Sequence, residues 1–329
     1  MTILDNPLTL PLRLPLAGLY TLITEARNWG YDKGWLKCHS LETPVISVGN
    51  LSVGGSGKTL LAEAICQYLL ARGIKVGLLS RGYGRTTRGP LVVSDGAKLQ
   101  ATVTRAGDEA FLLATRLSGC LVVVSEDRFT GARILRESFG VQCIVLDDGF
   151  QHRKLGRNLD IVILDTPPEK PGHMLPWGRL RESPYRAARA DIRLFSKVDP
   201  SQLPSGAEVL RFHYPAFLED PGGGHVSFQD IPKPFGVFAG LGNPAHFFEA
   251  VRRLIGPPEQ TLVFPDHAAY TIHQRSRIAG SKASAFVTTA KDAIKLDTEF
   301  RKKHAIHVLP VTVDLPESLR SAIDRLHQD

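Results

Sequence analysis

Cysteine is scarce. Four occur in 329 residues, Cys38, Cys66, Cys120 and Cys143, and no two share C-x-x-C spacing. That argues against a disulfide framework or a zinc site and fits a reducing compartment. Cys66 falls in a helical stretch and Cys143 in an apolar strand, so both are expected to be core thiols. No run reaches the roughly 20 apolar residues needed to span a bilayer. The first residues lack the basic start and small-residue cleavage site of a cleavable signal peptide. There is no internal repeat, no low-complexity tract and no recognised nucleic-acid motif, so nucleic acid is not an expected partner.

What is present is ordinary for a globular protein: 43% hydrophobic and 22% charged residues, in a length that suggests two domains. The net charge of +7 favours an anionic partner, and it equally fits an enzyme with surplus surface Lys and Arg. The segment from Leu8 to Tyr20 is rich in Leu but broken by Pro11, Arg13 and Pro15. A helix from about Leu16 to Trp29 is expected, either lying in a membrane interface or packed on the domain's own core.

The most informative stretch is Ser52-Val-Gly-Gly-Ser-Gly-Lys-Thr59. Val45–Val48 before it reads as a buried strand, and Leu60–Leu70 after it as a helix stopped by Gly73. Strand, Gly-rich turn, Lys-Thr and helix form the context of a P-loop. Backbone N–H groups of Gly54, Gly55, Ser56 and Gly57 are expected to cradle phosphate at a helix N-terminus. Lys58 is expected to reach the β- and γ-phosphates, and Thr59 to hold Mg²⁺. The first Gly of the eight-residue motif is Ser52 here.

Further strands are expected at Val76–Ser80, Leu121–Ser125, Ile144–Asp147, Ile161–Asp165 and Ile192–Phe195, alternating with helices. This rhythm predicts an α/β fold, a P-loop NTPase-like parallel sheet with helices on both faces. Glu219–Gly224 is turn chemistry between two short alternating segments, Val209–Tyr214 and His225–Phe228, and reads as a hairpin-like linker. A smaller C-terminal α/β domain follows, with strands at Phe235–Ala239, Leu262–Phe264, Ala285–Thr289 and His307–Val311. The expected organisation is a P-loop domain over 1–208, a two-stranded linker over 209–232 and a closing domain over 233–329, with substrate in the cleft.

Several loops carry candidate chemistry. Asp147 and Asp148 end an apolar strand, where P-loop enzymes place the acid of the Mg²⁺ shell. Gly149-Phe-Gln-His-Arg153 follows, where a nucleotide site would be lined. Ser80-Arg-Gly-Tyr-Gly-Arg85 reads as an anion clamp or a tight turn. Asp108 and Glu109 precede a helix, either as cap residues or with a carboxylate that accepts a proton from an attacking hydroxyl. Leu175-Pro-Trp-Gly-Arg-Leu-Arg-Glu182 is dense in Arg, with Glu182 a candidate for the metal shell. In the second domain Asp266-His267 is suited to acid–base work, and Lys291 is a candidate nucleotide contact.

Taken in order, these segments, with Gly240-Leu-Gly-Asn-Pro244, resemble the tetraacyldisaccharide 4′-kinases of lipid A synthesis, P-loop kinases of Gram-negative bacteria. That family's P-loop is shifted in the same way at Ser52. The resemblance covers nearly the whole chain. It implies transfer of the ATP γ-phosphate to the 4′-hydroxyl of a tetraacylated glucosamine disaccharide 1-phosphate, at the cytoplasmic face of the inner membrane. ATP and Mg²⁺ are the implied cofactors, the membrane-embedded lipid is the implied partner, and no obligate protein partner is implied. Asp147 or Asp148, with Glu182, would hold Mg²⁺. Asp108 would be the general base, with His267 orienting it or raising its basicity, and Lys58 would act on the phosphates. Rival readings fit less well. A partitioning ATPase has a signature Lys where Val53 stands, and Ser196-Lys-Val-Asp199 matches a guanine-reading loop only weakly.

Overall fold

The structure is a computed structural model describing residues 10–167, 169–170 and 172–327. The first strands, β1 (Val45–Asn50), β2 (Val76–Ser80), β3 (Leu91–Asp95), β4 (Leu121–Val124), β5 (Cys143–Asp147), β6 (Leu159–Leu164), β7 (Ile192–Phe195) and β8 (Glu208–Val209), build one eight-stranded sheet. Its order is β3-β4-β2-β5-β1-β6-β7-β8. All neighbours run parallel except β3, which lies antiparallel on β4 at one edge. The central strands are buried on both faces, which is why they read as unbroken apolar runs.

Helices cover the sheet. α1 (Leu10–Asp32) precedes it, and α2 (Lys58–Leu70), α3 (Val103–Ala106), α4 (Asp108–Arg116) and α5 (Arg128–Glu137) connect its strands. α2 ends as expected at Gly73, whose φ of 76° lets Ile74 N–H reach back to the Leu69 carbonyl. Leu61, Ile65 and Leu69 of α2 pack with Ile46, Val48 and Val145 in the main core. α5 seals the other face, where Ala132 and Leu135 meet Leu79, Ile144 and Leu146.

A second sheet of six strands follows. β9 (Phe212–His213) leads to β10 (Phe217–Glu219), β11 (His225–Ser227), β12 (Phe235–Ala239), β13 (Gln260–Val263), β14 (Ala285–Thr288) and β15 (Ile306–Val308). The sheet order is β11-β10-β15-β14-β12-β13. Helices α6 (Ala245–Leu254), α7 (Ile272–Ala279), α8 (Ala290–Ala293) and α9 (Thr298–Lys303) accompany it, and β16 (Thr312–Val313) and α10 (Glu317–Arg325) end the chain's described structure.

Two boundaries differ from expectation. The Asp220 turn does make a hairpin, its carboxylate accepting from Gly222 and Gly224 N–H, but the arms are β10 and β11. They belong to the second sheet through the Glu219↔Val308 pairing, so the hairpin is not the linker. The two-stranded connection is instead β9 paired antiparallel with β16, one strand from each passage of the chain. The last helix then returns to the first domain. Leu319, Ala322 and Ile323 of α10 form an i, i+3, i+4 stripe in the same core as Leu61 and Ile65, and Tyr68 Oη donates to Asp324 at 3.0 Å. The closing domain thus ends near residue 311, because the stripe on α10 is buried against α2 rather than its own sheet.

α1 is longer than the expected 16–29 and carries Pro15 within it. Leu8 lies outside the described residues. Its faces are reversed relative to an ordinary surface helix. Thr24 and Asn28 are buried against the domain, while Leu14, Leu16, Leu19, Leu22, Ile23 and Trp29 are exposed. The inward face is held by polar contacts: Glu25 to Arg186 and Tyr185, Asn28 Nδ2 to Glu182 at 3.2 Å, and Asp32 to Arg186 at 2.7 Å and Arg153 at 2.8 Å. No helix among the described residues is long and apolar enough to cross a membrane.

Candidate active site

The carboxyl ends of β1, β2, β4, β5 and β6 converge on one edge of the first sheet, the edge where open α/β folds bind ligands. The P-loop leaves β1 there. Gly57 has a φ of 96°, and a Cβ on it would meet the Phe212 ring at 2.6 Å, so the turn needs glycine for conformation and for room. Ser52, the departure from the motif, is buried and donates to Asp165 Oδ1 at 2.8 Å. The Arg-rich 175–182 loop braces this turn. Arg181 N–H bonds the Leu51 carbonyl, Val53 N–H bonds the Arg179 carbonyl, and the Arg179 guanidinium donates twice to the Val53 carbonyl at 2.9 and 2.7 Å.

Lys58 opens α2 with its ammonium 3.7 Å from Asp148 Oδ1 and 3.4 Å from the Gly54 carbonyl. Thr59 follows it, half-buried. Lys197, read only as part of a weak guanine-loop match, donates to the Gly55 carbonyl and brings a second ammonium to the P-loop.

Asp147 and Asp148 end β5 but behave oppositely. Asp148, at a left-handed φ of 55°, is gripped bidentately by Arg181 at 2.9 and 2.8 Å. Burial alone would raise its carboxyl, yet the Arg181 hydrogen bonds and the Lys58 charge hold it below the ordinary range. Asp147 is buried with both carboxylate oxygens unpartnered. Burial, with the Glu109 and Asp148 carboxylates nearby, pushes it up to about 7. A buried carboxylate with free oxygens within electrostatic reach of the P-loop Lys58 is the donor chemistry of a divalent hard cation. No cluster of three or more acidic, His or Cys ligands occurs among the described residues.

Glu182 does not join this pair. Its fully buried carboxylate accepts from Arg189 and from Asn28 at 3.2 Å and faces Arg27 at 3.5 Å. Its contacts here are structural, and the metal role expected for it remains an expectation. Glu182 ties the loop to α1 through its hydrogen bonds from Arg189 and Asn28.

His152 and Arg128 line the same edge. Burial, with the Arg128 charge next, pushes the His152 ring down to about 4, so it is neutral and its Nε2 accepts from Arg128 N–H at 3.3 Å. Arg128 is buried, and burial lowers it to about 10, which leaves it charged near Asp147 and Asp148. Arg85 of the glycine-arginine loop pairs with Glu126 at 2.6 Å and is structural, whereas Arg81 is exposed.

The second domain closes the site from across the cleft. Gly107, at φ 88°, packs on the Gly82-Tyr83 backbone and sets Asp108 at the start of α4. Asp108 Oδ2 lies 3.1 Å from His267 Nδ1, and the Tyr83 ring sits 5.6 Å from the His267 ring. A carboxylate only accepts, so Nδ1 carries the proton. Asp108 and His267, which the resemblance implied as partners, are in contact. Lys291, expected as a nucleotide contact, pairs here with Glu109. Sequence reading missed Lys295, whose ammonium lies 2.7 Å from the same Asp108 oxygen.

Comparison with known proteins gives one consistent answer. A family model described as tetraacyldisaccharide-1-P 4′-kinase matches residues 9–328. The chain is 37% identical over 321 residues to the tetraacyldisaccharide 4′-kinase of Aquifex aeolicus, covering 95% of this chain and 98% of that one. It is 36% identical over 330 residues to the enzyme of the same name from Chlorobium limicola, covering 93% and 92%. Among solved structures it is similar to the "apo" form of LpxK from Aquifex aeolicus in complex with ATP, with a TM-score of 0.80, 35% identity and coverage of 95% and 98%.

Proposed function

The chain belongs to the tetraacyldisaccharide-1-P 4′-kinase family, and from that premise we propose how its residues carry out the reaction. It is an ATP-dependent kinase that phosphorylates the 4′-hydroxyl of the tetraacylated disaccharide 1-phosphate precursor of lipid A. In our reading Gly54–Gly57 and Lys58 bind the ATP phosphates. Asp108 accepts the proton of the 4′-hydroxyl as its oxygen bonds the γ-phosphorus and the bond to the β-γ bridging oxygen breaks. His267 orients Asp108. The Lys58 and Arg128 charges offset the anionic charge of the transferring group, and positioning does most of the work. No side chain is assigned as a phosphoenzyme nucleophile, so transfer is direct and in line.

Asp147 and Thr59 are suited to hold Mg²⁺, which when bound supplies charge neutralisation at the phosphates. The unpartnered oxygens of Asp147 support that assignment. Asp148 in its Arg181 pairing is the less available ligand.

The enzyme works at a membrane surface, on our reading the cytoplasmic face of the inner membrane. Its outward apolar stripe on α1 supports docking without spanning, since the stripe is held on the domain by polar contacts and left open on the other side.

The observation that carries the mechanism is the Asp108 carboxylate, presented at a helix start and held across the cleft by His267 at 3.1 Å. The test is γ-³²P transfer from ATP to tetraacyldisaccharide 1-phosphate in detergent micelles, with and without Mg²⁺, by wild type and Asp108→Asn. Mg²⁺-dependent lipid labelling that drops about 10²–10⁴-fold in the variant, with ATP KM little changed, is the expected result. Near-normal turnover by Asp108→Asn would sink the base assignment.

A further inference from the structure

Asp108 receives two donors from the second domain, and both converge on one oxygen. His267 Nδ1 and Lys295 Nζ lie 3.1 and 2.7 Å from Oδ2. Two donors converging on one carboxylate oxygen restrict the group's rotation and leave Oδ1 outside both contacts. We propose that Lys295 is a positioning residue for phosphoryl transfer, locking Oδ2 of Asp108 with His267 so that Oδ1 meets the acceptor hydroxyl when the second domain is closed. The proposal rests on reading Asp108 as the base.

The local fold supports this. Lys291 and Lys295 are i and i+4 on the helical turn of α8 and its extension, so they project on one side. They meet the consecutive carboxylates of α4, Lys291 on Glu109 and Lys295 on Asp108. That turn is anchored by buried Asp292, which accepts from Gly240 N–H at 3.1 Å and Thr289 Oγ1 at 2.7 Å. The Lys295 chain carbonyl also receives the Arg275 guanidinium at 3.4 Å. Lys295 is thus held by its own domain at the backbone and by Asp108 at its tip. Its side chain is only 6% exposed, so its charge has little water to fall back on and its partner matters.

The groups facing Asp108 are His267 and Lys295 in contact, with Lys291, Glu109 and Asp266 beyond them. Burial on its own would raise the Asp108 carboxyl. The hydrogen bonds from His267 and Lys295 outweigh it and hold the group below the ordinary carboxylate range. The ionised, proton-accepting form of Asp108 is therefore kept to low pH. Removing the Lys295 charge moves the acid limb of kcat to higher pH.

The experiment compares Lys295→Met, Lys295→Arg, Asp108→Asn and Glu219→Gln in kcat, ATP KM, the pH profile of kcat and Tm. Glu219 pairs with Arg116 across the same interface, away from Asp108, and serves as the clasp control. Lys295→Met is expected to lose about tenfold or more in kcat, keep ATP KM within about twofold and shift the acid limb upward. Lys295→Arg is expected to recover most of both, and Glu219→Gln to leave the limb where it was. If Lys295→Met does not fold, Lys295→Gln, which keeps a donor and loses the charge, gives the same comparison. Wild-type kcat and acid limb in the Lys295 variants overturn the proposal. So does a loss of kcat with an unmoved limb and a lower Tm, since that is only a broken clasp. The base reading fails by a different result, near-normal turnover by Asp108→Asn.

Discussion

Glu182→Ala separates the two roles that a loop glutamate next to a P-loop can have. In the structure its carboxylate is fully buried and serves Arg189, Asn28 and Arg27. The Arg27 side chain is 42% exposed, so that pair contributes little. Arg189 is different. Its side chain is 17% exposed, lies over the Phe150 ring at 3.7 Å and donates to the Phe150 carbonyl at 2.8 Å. Removing Glu182 strands that guanidinium and Asn28 in a dry junction between α1 and the 181–189 segment, a cost of about 3–5 kcal/mol. For a domain of this size that lowers Tm by roughly 6–20 °C. The assay is thermal unfolding in EDTA, paired with kinase activity against Mg²⁺ concentration. The expected outcome is a large Tm loss with little change in the Mg²⁺ half-saturation of whatever activity survives. A variant that melts with the parent but needs far more Mg²⁺ would refute the structural role and restore Glu182 to the metal shell.

Asp147→Asn should act in the opposite sense on stability. It removes a buried charge without a partner, so the EDTA-treated protein should gain roughly 1–3 kcal/mol while Mg²⁺-dependent transfer falls by orders of magnitude. A lower Tm in EDTA would mean that the carboxylate already has a cationic partner. The combined change Leu19→Glu, Leu22→Glu and Ile23→Glu alters side chains that are exposed on α1. Each apolar side chain buried in a membrane interface contributes up to about 1.5–3 kcal/mol, so sedimentation with anionic vesicles should fall by well over tenfold with Tm unchanged. Undiminished vesicle binding would remove α1 as the docking element.

The parts of the fold legible in the sequence were those written in local spacing. The parallel strands are short apolar runs, the P-loop has a strand before it and a helix after it, and both leave a one-dimensional signature. Asp108 and His267 each stood out locally, one as an acid before a helix and the other after a strand, but their pairing came from the family resemblance. What could not be read depended on distant segments meeting. The edge strand Leu91–Asp95 carries a register shift between Val92 and Ser94 that breaks its alternation. The return of α10 to the first core is invisible locally, since an amphipathic stripe does not say which core it enters.

The same limit explains why the contacts of Glu182 were not read and why Lys295 was missed, and it has a common physical form. Both are charged groups in polar, loop-like sequence, where charge invites a functional reading in one case and a solvated reading in the other. Burial decides between them. Glu182 is dry because α1 lies over it and brings Asn28 and Arg27, so its charge is consumed by structure. Lys295 is nearly dry because the second domain presses it onto Asp108, a carboxylate whose second oxygen is left to work. A charge buried against partners that use all its bonds holds the fold. A charge buried against the proposed base is better placed to serve the reaction, and this is why we propose a positioning role for Lys295 and a structural one for Glu182.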